Sequence, residues 1–97
     1  MMLSFHRLVQ REVNEAVQWY QECSDGLGDD FFVKFTTTLN AIVANPEGHG
    51  FWLGSKTVRR AKLKRFPYAV LYELLPGKVR VLCVRHDKRR PSYGMSR

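Results

Sequence analysis

The repeat of the apolar residues changes partway along this chain, and that change limits the fold more than any single motif. Val13, Ala16, Val17 and Tyr20 recur at the spacing of one helical stripe, with Arg11, Glu15, Gln18 and Glu22 on the other side. Phe32, Phe35, Leu39, Ile42 and Val43 repeat the pattern in a second segment. Beyond residue 56 the period falls to two. Ala61 and Leu63 take one face, and Arg60, Lys62 and Lys64 the other. Two helices followed by strands define an α+β chain.

The breaks between segments are also written in the sequence. A loose alternation over Leu3–Val9 reads as a short first strand. The first helix runs from about Gln10 to Cys23 and ends at Ser24-Asp25-Gly26. The second starts near Asp29, read as its N-cap, and stops at Asn45-Pro46, because the residue before proline avoids helical backbone. Thr36-Thr37-Thr38 is a poor helical run by propensity, but the apolar period continues through it. The stretch PEGHGFWLGSK is a loop. Thr57–Lys64 is a strand. Tyr68–Leu75 is apolar on both faces, as a central strand would be. Pro76-Gly77 turns it into a last strand covering 79–86. The predicted layout is β-α-α-β-β-β, two layers, with a helical hairpin packed on one face of an antiparallel sheet.

Charge is unevenly placed along this order. Residues 1–55 hold three cations and seven acids, whereas residues 56–97 hold thirteen cations and two acids, within a net charge of +7. Such a dipole draws anions, nucleic acid or an acidic protein segment, to one side. On a strand, residues two apart lie about 6.5–7 Å from each other on one face. Arg60, Lys62 and Lys64 would then form a basic ladder on the face turned away from the helices. Arg85, Lys88, Arg89 and Arg90 extend it at the end of a neighbouring strand, and Tyr68 and Tyr93 would supply stacking surfaces. The competing reading of both clusters is a solvated surface. His86 is read either as a general acid or base or as a strand-end imidazole bonded to nearby backbone. Trp19 and Tyr20 read as core. Trp52, beside Phe51 in a glycine-rich loop, is either a lid on the core or an anchor for a partner.

Other features exclude classes. Cys23 and Cys83 lack metal or redox spacing and read as free thiols of a reducing compartment. His6 and His49 have no partner ligand at metal spacing, so neither a metal nor a cofactor is expected. The start MMLSFHRLVQ has no secretory apolar core, and no run approaches the ~20 apolar residues of a membrane span. The expectation is one cytoplasmic domain over residues 1–97.

The string RRAKLKRFPYAVLYELLPGKVRVLCVRHDKRRPSYG resembles the C-terminal half of the RelE/ParE superfamily, toxins of type II toxin–antitoxin modules. The Phe-Pro-Tyr turn within Arg59–Tyr72 and the Val-Arg-His-Asp-Lys-Arg-Arg run of Val84 to Arg90 resemble the ParE-like, plasmid-stabilisation branch. VNEAVQWYQE followed by GLGDDFFVKFTTTLNAIVANP is similar to the family's helical part. The resemblance implies the same fold and a toxin neutralised by a cognate antitoxin that folds upon it, as a heteromeric complex; a homodimer is also open.

Two activities occur in the superfamily, so the resemblance implies either of two targets. ParE-like members poison DNA gyrase; RelE-like members cut messenger RNA on the ribosome without a metal. Arg60, Lys62 and Arg89 match the basic residues of the RNA-cleaving relatives, and His86 and Tyr93 are the acid–base candidates. Tyr93 is displaced from the expected spacing. Ala69 stands where those relatives carry an arginine. Cleavage by 2′-OH attack builds charge on the scissile phosphate, and losing one fixed donor there costs roughly 10²–10³ in rate. The sequence therefore leans to a binding toxin of the gyrase-directed type. The alternatives are an mRNA endonuclease, a degenerate toxin or a plain nucleic-acid binder.

Overall fold

Six elements follow one another in a computed structural model that describes residues 1–97. They are β1 (Met2–Phe5), α1 (Val9–Cys23), α2 (Leu27–Ala44), β2 (Val58–Lys62), β3 (Tyr68–Leu75) and β4 (Lys78–His86). The order is β-α-α-β-β-β, with the helical hairpin on one face of a four-stranded sheet ordered β1-β4-β3-β2. The β3–β4 and β2–β3 pairs are antiparallel. β1 instead lies parallel to β4, with Met2 opposite Lys78 and Phe5 opposite Val81, so the sheet is mixed. A helical crossover is what a parallel neighbour requires, and α1–α2 supplies it. No helix is long and apolar enough to cross a membrane.

Several boundaries differ from the sequence reading. β1 ends at Phe5, because His6 Nδ1 accepts the Leu8 N–H and turns the chain into α1. The N-cap of α2 is Gly26, at φ 84°, rather than Asp29, which lies with Asp30 in the first turn. The donors freed there are taken by the Gln21 side-chain oxygen, which accepts from Gly26 N–H at 3.1 Å and Gly28 N–H at 3.2 Å. The two acids still favour that end through the helix dipole. The buried stripe of α2 is Phe31, Phe35, Thr38, Leu39 and Ile42, so Phe31 is the inner aromatic and Phe32 is 48% exposed. Trp19 also faces outward, 63% exposed.

The main core lies between helices and sheet. Val9, Val13 and Ala16 of α1 and the α2 stripe meet Val70, Tyr72, Val79, Val81 and Val84. Tyr20, Phe31, Phe66 and Tyr68 close one end as an aromatic group with centroids 4.8–6.2 Å apart. Tyr72 is fully buried, and its hydroxyl donates to Pro46 O at 2.6 Å, tying the central strand to the end of α2.

A second, smaller cluster lies on the opposite face. Val58, Leu71, Leu82 and Cys83 are buried there under Trp52, Tyr93 and Met95. The face expected to be an open basic surface is therefore partly roofed by the 46–57 loop and the C-terminal segment. Gly94, at φ 78°, makes this possible, since a Cβ there would stand 2.4 Å from Cys83 Sγ.

Candidate functional site

Trp52 organises the far face of the sheet. Its Nε1–H donates to Pro91 O at 3.0 Å, joining the loop to the C-terminal segment. Its ring lies 5.6 Å from the Arg60 guanidinium and 4.8 Å from that of Arg85. Arg60 comes from β2 and Arg85 from β4, with Leu71 and Ala69 of β3 opposite them in register. The Nε of each arginine is buried without a hydrogen-bond partner, facing the indole, where a cation–π contact offsets part of that loss. Arg85 is only 3% exposed, and its Nη2 donates to the carbonyls of Arg89 (2.6 Å) and Arg90 (3.4 Å). Of the two roles left open for Trp52, the lid describes its contacts. Arg59 fastens the same loop, donating to Glu47 O (3.1 Å) and His49 O (2.7 Å) with its guanidinium 4.1 Å from the Phe51 ring.

The remaining predicted cations divide between locations. Lys62 uses its ammonium on Asp87 (2.7 Å), Phe66 O (3.1 Å) and Tyr68 O (3.3 Å). An ammonium has three protons, so all its donors are taken. Lys64 lies beyond the end of β2, exposed, so the ladder of three reduces to Arg60 and Lys62. Lys88, Arg89 and Arg90 are exposed on the turn after β4.

At the edge of the helical layer the structure brings His86, Arg89 and Tyr93 together. They line a cavity of about 100 Å³ with Glu12, Glu15 and Tyr68. His86 Nδ1 accepts the Lys88 N–H at 3.0 Å, the backbone-bonded reading of this residue, and its ring meets Tyr68 edge-on at 5.0 Å. Tyr68 thus belongs to the helix side and offers no stacking surface beside Arg60. The Arg89 guanidinium lies 4.6 Å from the Tyr93 ring.

Sequence reasoning missed the centre of this region, Glu12. Its Oε1 accepts the Val84 N–H at 3.0 Å, and its Oε2 accepts the Tyr93 hydroxyl and lies 2.9 Å from Arg97 Nη2. Arg97 Nη1 reaches Leu82 O at 3.1 Å. β4 continues past the end of β1, so Leu82 and Val84 have no strand beside them, and these two side chains satisfy that edge. The signal was present: Val9, Glu12, Val13 and Ala16 share one stripe at i, i+3, i+4 and i+7, so an acid falls on a buried face and requires a partner. Arg97, far along the chain, carried no local sign.

Protonation at this site follows from burial. Desolvation, reinforced by the hydrogen bond to Glu12, raises the Tyr93 hydroxyl above the usual tyrosine range. Desolvation pushes the Cys83 thiol up to about 12. Both groups hold their protons more tightly folded than unfolded. Their stabilisation is complete below about pH 9 and is lost as pH rises through the folded values. Urea midpoints are expected to be level from about pH 7 to 8.5 and to fall steeply toward pH 11. A flat profile to pH 11 would contradict the burial of these groups. No group of three or more His, Cys, Asp or Glu side chains lies together as a metal site.

The order of elements, the mixed sheet and the crossover helices define a two-layer α+β fold, and that fold is ParE-like. It is similar to a solved structure described as the chromosomal ParDE TA system from P. aeruginosa, with a TM-score of 0.75, 17% identity, and coverage of 89% of this chain and 95% of that one. No protein-family model and no curated protein matches the sequence.

Proposed function

We propose that this chain is the cytoplasmic toxin of a type II toxin–antitoxin module, acting by binding a target protein of the gyrase type rather than by cutting RNA. The likeness to a ParDE structure over nearly the whole chain supports a toxin. The observation that favours binding over cleavage is the scatter of the nuclease candidates. Arg60 lies against Trp52, Lys62 is neutralised by Asp87, and His86, Arg89 and Tyr93 lie at another cavity. Ala69, where the RNA-cleaving relatives carry arginine, is fully buried. Tyr93 donates to Glu12 with its proton held tightly, which opposes a role as base.

The cognate antitoxin has a suitable seat. A groove of about 370 Å³ between the β1–α1 junction and α2 is lined by Phe5, Val9, Val13, Phe32, Phe35 and Leu39. Phe5 and Phe32 are about half exposed, at 47% and 48%. An amphipathic segment of the antitoxin would lay its apolar face there, while acids in it meet the basic half.

The experiment is induced expression in a bacterial host with transcript mapping, beside gyrase supercoiling assays with purified toxin. Growth arrest with intact messages and inhibited supercoiling is the expected result. A second reading has one observation in its favour, the convergence of His86, Arg89 and Tyr93. It is an mRNA endonuclease, and it requires ribosome-phased cuts that vanish in Arg89→Ala and Lys62→Ala. Such cuts would replace the gyrase reading.

A further inference from the structure

A cleft of about 320 Å³ lies between α2 and the outer edge of β2, away from Trp52 and from the Glu12 network. Lys34, Thr37, Thr38, His49, Lys62 and Lys64 contribute to it, and its lining contains no carboxylate. Of the four clefts on the molecule it holds the most cations. Lys34 and Lys64 form no ion pair, unlike Lys62 with Asp87 and Arg65 with Asp30. Lys62 is compensated by Asp87, but Lys34 and Lys64 share the concavity with no acid in its lining, and a bound anion relieves their repulsion.

The threonine run explains why the cleft exists. Thr36 and Thr38 donate their hydroxyls to Val33 O (2.9 Å) and Lys34 O (2.7 Å), whereas Thr37 is exposed and has no intramolecular partner. Thr37 and Thr38, with Ala41 and Ala61, fill little space between α2 and β2. The strand edge, paired with residues 50–52 along residues 58–60, is open at Lys62. Arg60 N–H is taken by Gly50 O, so by alternation the Lys62 N–H points outward, and no strand lies beyond β2. The cleft therefore presents two uncommitted ammonium groups, a hydroxyl and a backbone donor.

We infer that the α2–β2 cleft binds a phosphomonoester, its phosphate held by Lys34, Lys64 and the Thr37 hydroxyl. Lysines serve as point charges for a phosphate, and the dispersed donors suit a tetrahedral dianion better than a planar carboxylate. The volume exceeds what a bare phosphate fills and falls in the range of small-molecule sites, so the ester carries a body of about nucleoside size beside the half-buried His49. The inference is independent of the toxin reading, since it uses neither the apolar groove nor the His86 cavity.

The test is an amide NMR titration of the full chain with adenosine monophosphate, inorganic phosphate and adenosine. Adenosine monophosphate is expected to give saturable shifts over Lys34–Ala41, His49 and residues 61–64, with adenosine about tenfold weaker or worse. Lys34→Ala with Lys64→Ala should weaken binding about tenfold, and Thr37→Val less. A charge-matched control, Lys78→Ala with Arg80→Ala, should leave it unchanged. Thermal unfolding of each variant checks the fold, and Thr37→Val gives a second reading should the lysine pair be unstable. Phosphate binding as tightly as the nucleotide keeps the phosphate site but removes the nucleoside-sized body from the inference. Equal loss in the control, adenosine as tight as its phosphate, or shifts that do not saturate or lie elsewhere would overturn it.

Discussion

Glu12→Ala is expected to destabilise the protein by about 3 kcal/mol, the lower end of what breaking a buried ion pair from one side costs. The substitution leaves three groups without their partner. The Arg97 guanidinium, 13% exposed, keeps its charge beside a carboxylate that is gone; the Tyr93 hydroxyl loses its acceptor; and the Val84 N–H loses its acceptor at the strand edge. For a domain of this size that corresponds to a fall in Tm of roughly 15 °C. Arg97→Ala should cost about 2 kcal/mol, because the two hydrogen bonds that Glu12 accepts from Val84 N–H and the Tyr93 hydroxyl survive it. The double variant should cost less than the two together, a coupling of about 1–2 kcal/mol, since both remove the same pair. Strict additivity would mean that Glu12 and Arg97 act separately.

Trp52→Ala carries the second large effect, about 2 kcal/mol. Truncating a fully buried tryptophan costs about 3–5 kcal/mol, and this one is only half-buried. Its loss uncovers Val58, Leu71 and Leu82, leaves the buried Nε of Arg60 and Arg85 without the indole face, and frees the loop from Pro91. Trp52→Phe separates these contributions. It keeps an aromatic lid and loses only the Nε1 hydrogen bond, so about 1 kcal/mol is expected. The measurement is denaturant unfolding followed by near-UV circular dichroism. Equal losses in the two variants would assign the whole effect to the hydrogen bond and none to the lid.

The sheet's central hairpin was legible because two long apolar runs flank Pro76-Gly77, and no other arrangement buries both faces of Tyr68–Leu75. The helices were legible from their period. Phe31 and Phe32 were not distinguishable there, since adjacent aromatics both fit a stripe within one residue, and the register of α2 was settled by Gly28. A Cβ on Gly28 would meet Val17 O at 2.5 Å, so α2 lies close against α1 at that point, with Phe31 turned inward. The parallel pairing of β1 was not legible, because four residues carry no register of their own. The sequence presents the candidate site as a stripe of like charge on one face. The structure instead distributes it among a tryptophan, an aspartate and a glutamate. Charge pattern along a strand shows which side chains share a face, but not which loop will cover that face. Trp52 and Tyr93 come from segments with no period at all.

The pairing of β1 with β4 also has a consequence for the order in which this protein can come into being. Met2 waits for Lys78, which a ribosome adding 5–20 residues per second supplies roughly 4–15 s later. During that interval the two helices can associate, but Met2 and Phe5 have no strand to join, and their edge stays open to any other chain. The Glu12 carboxylate waits longer still, because Arg97 is 85 residues away. Closing contacts this distant in sequence slows folding relative to a protein of equal stability built from local ones. A nascent chain of this kind therefore acquires its helical layer early, while its sheet and the cover on the sheet's far face arrive together, once residues 78–97 have been made.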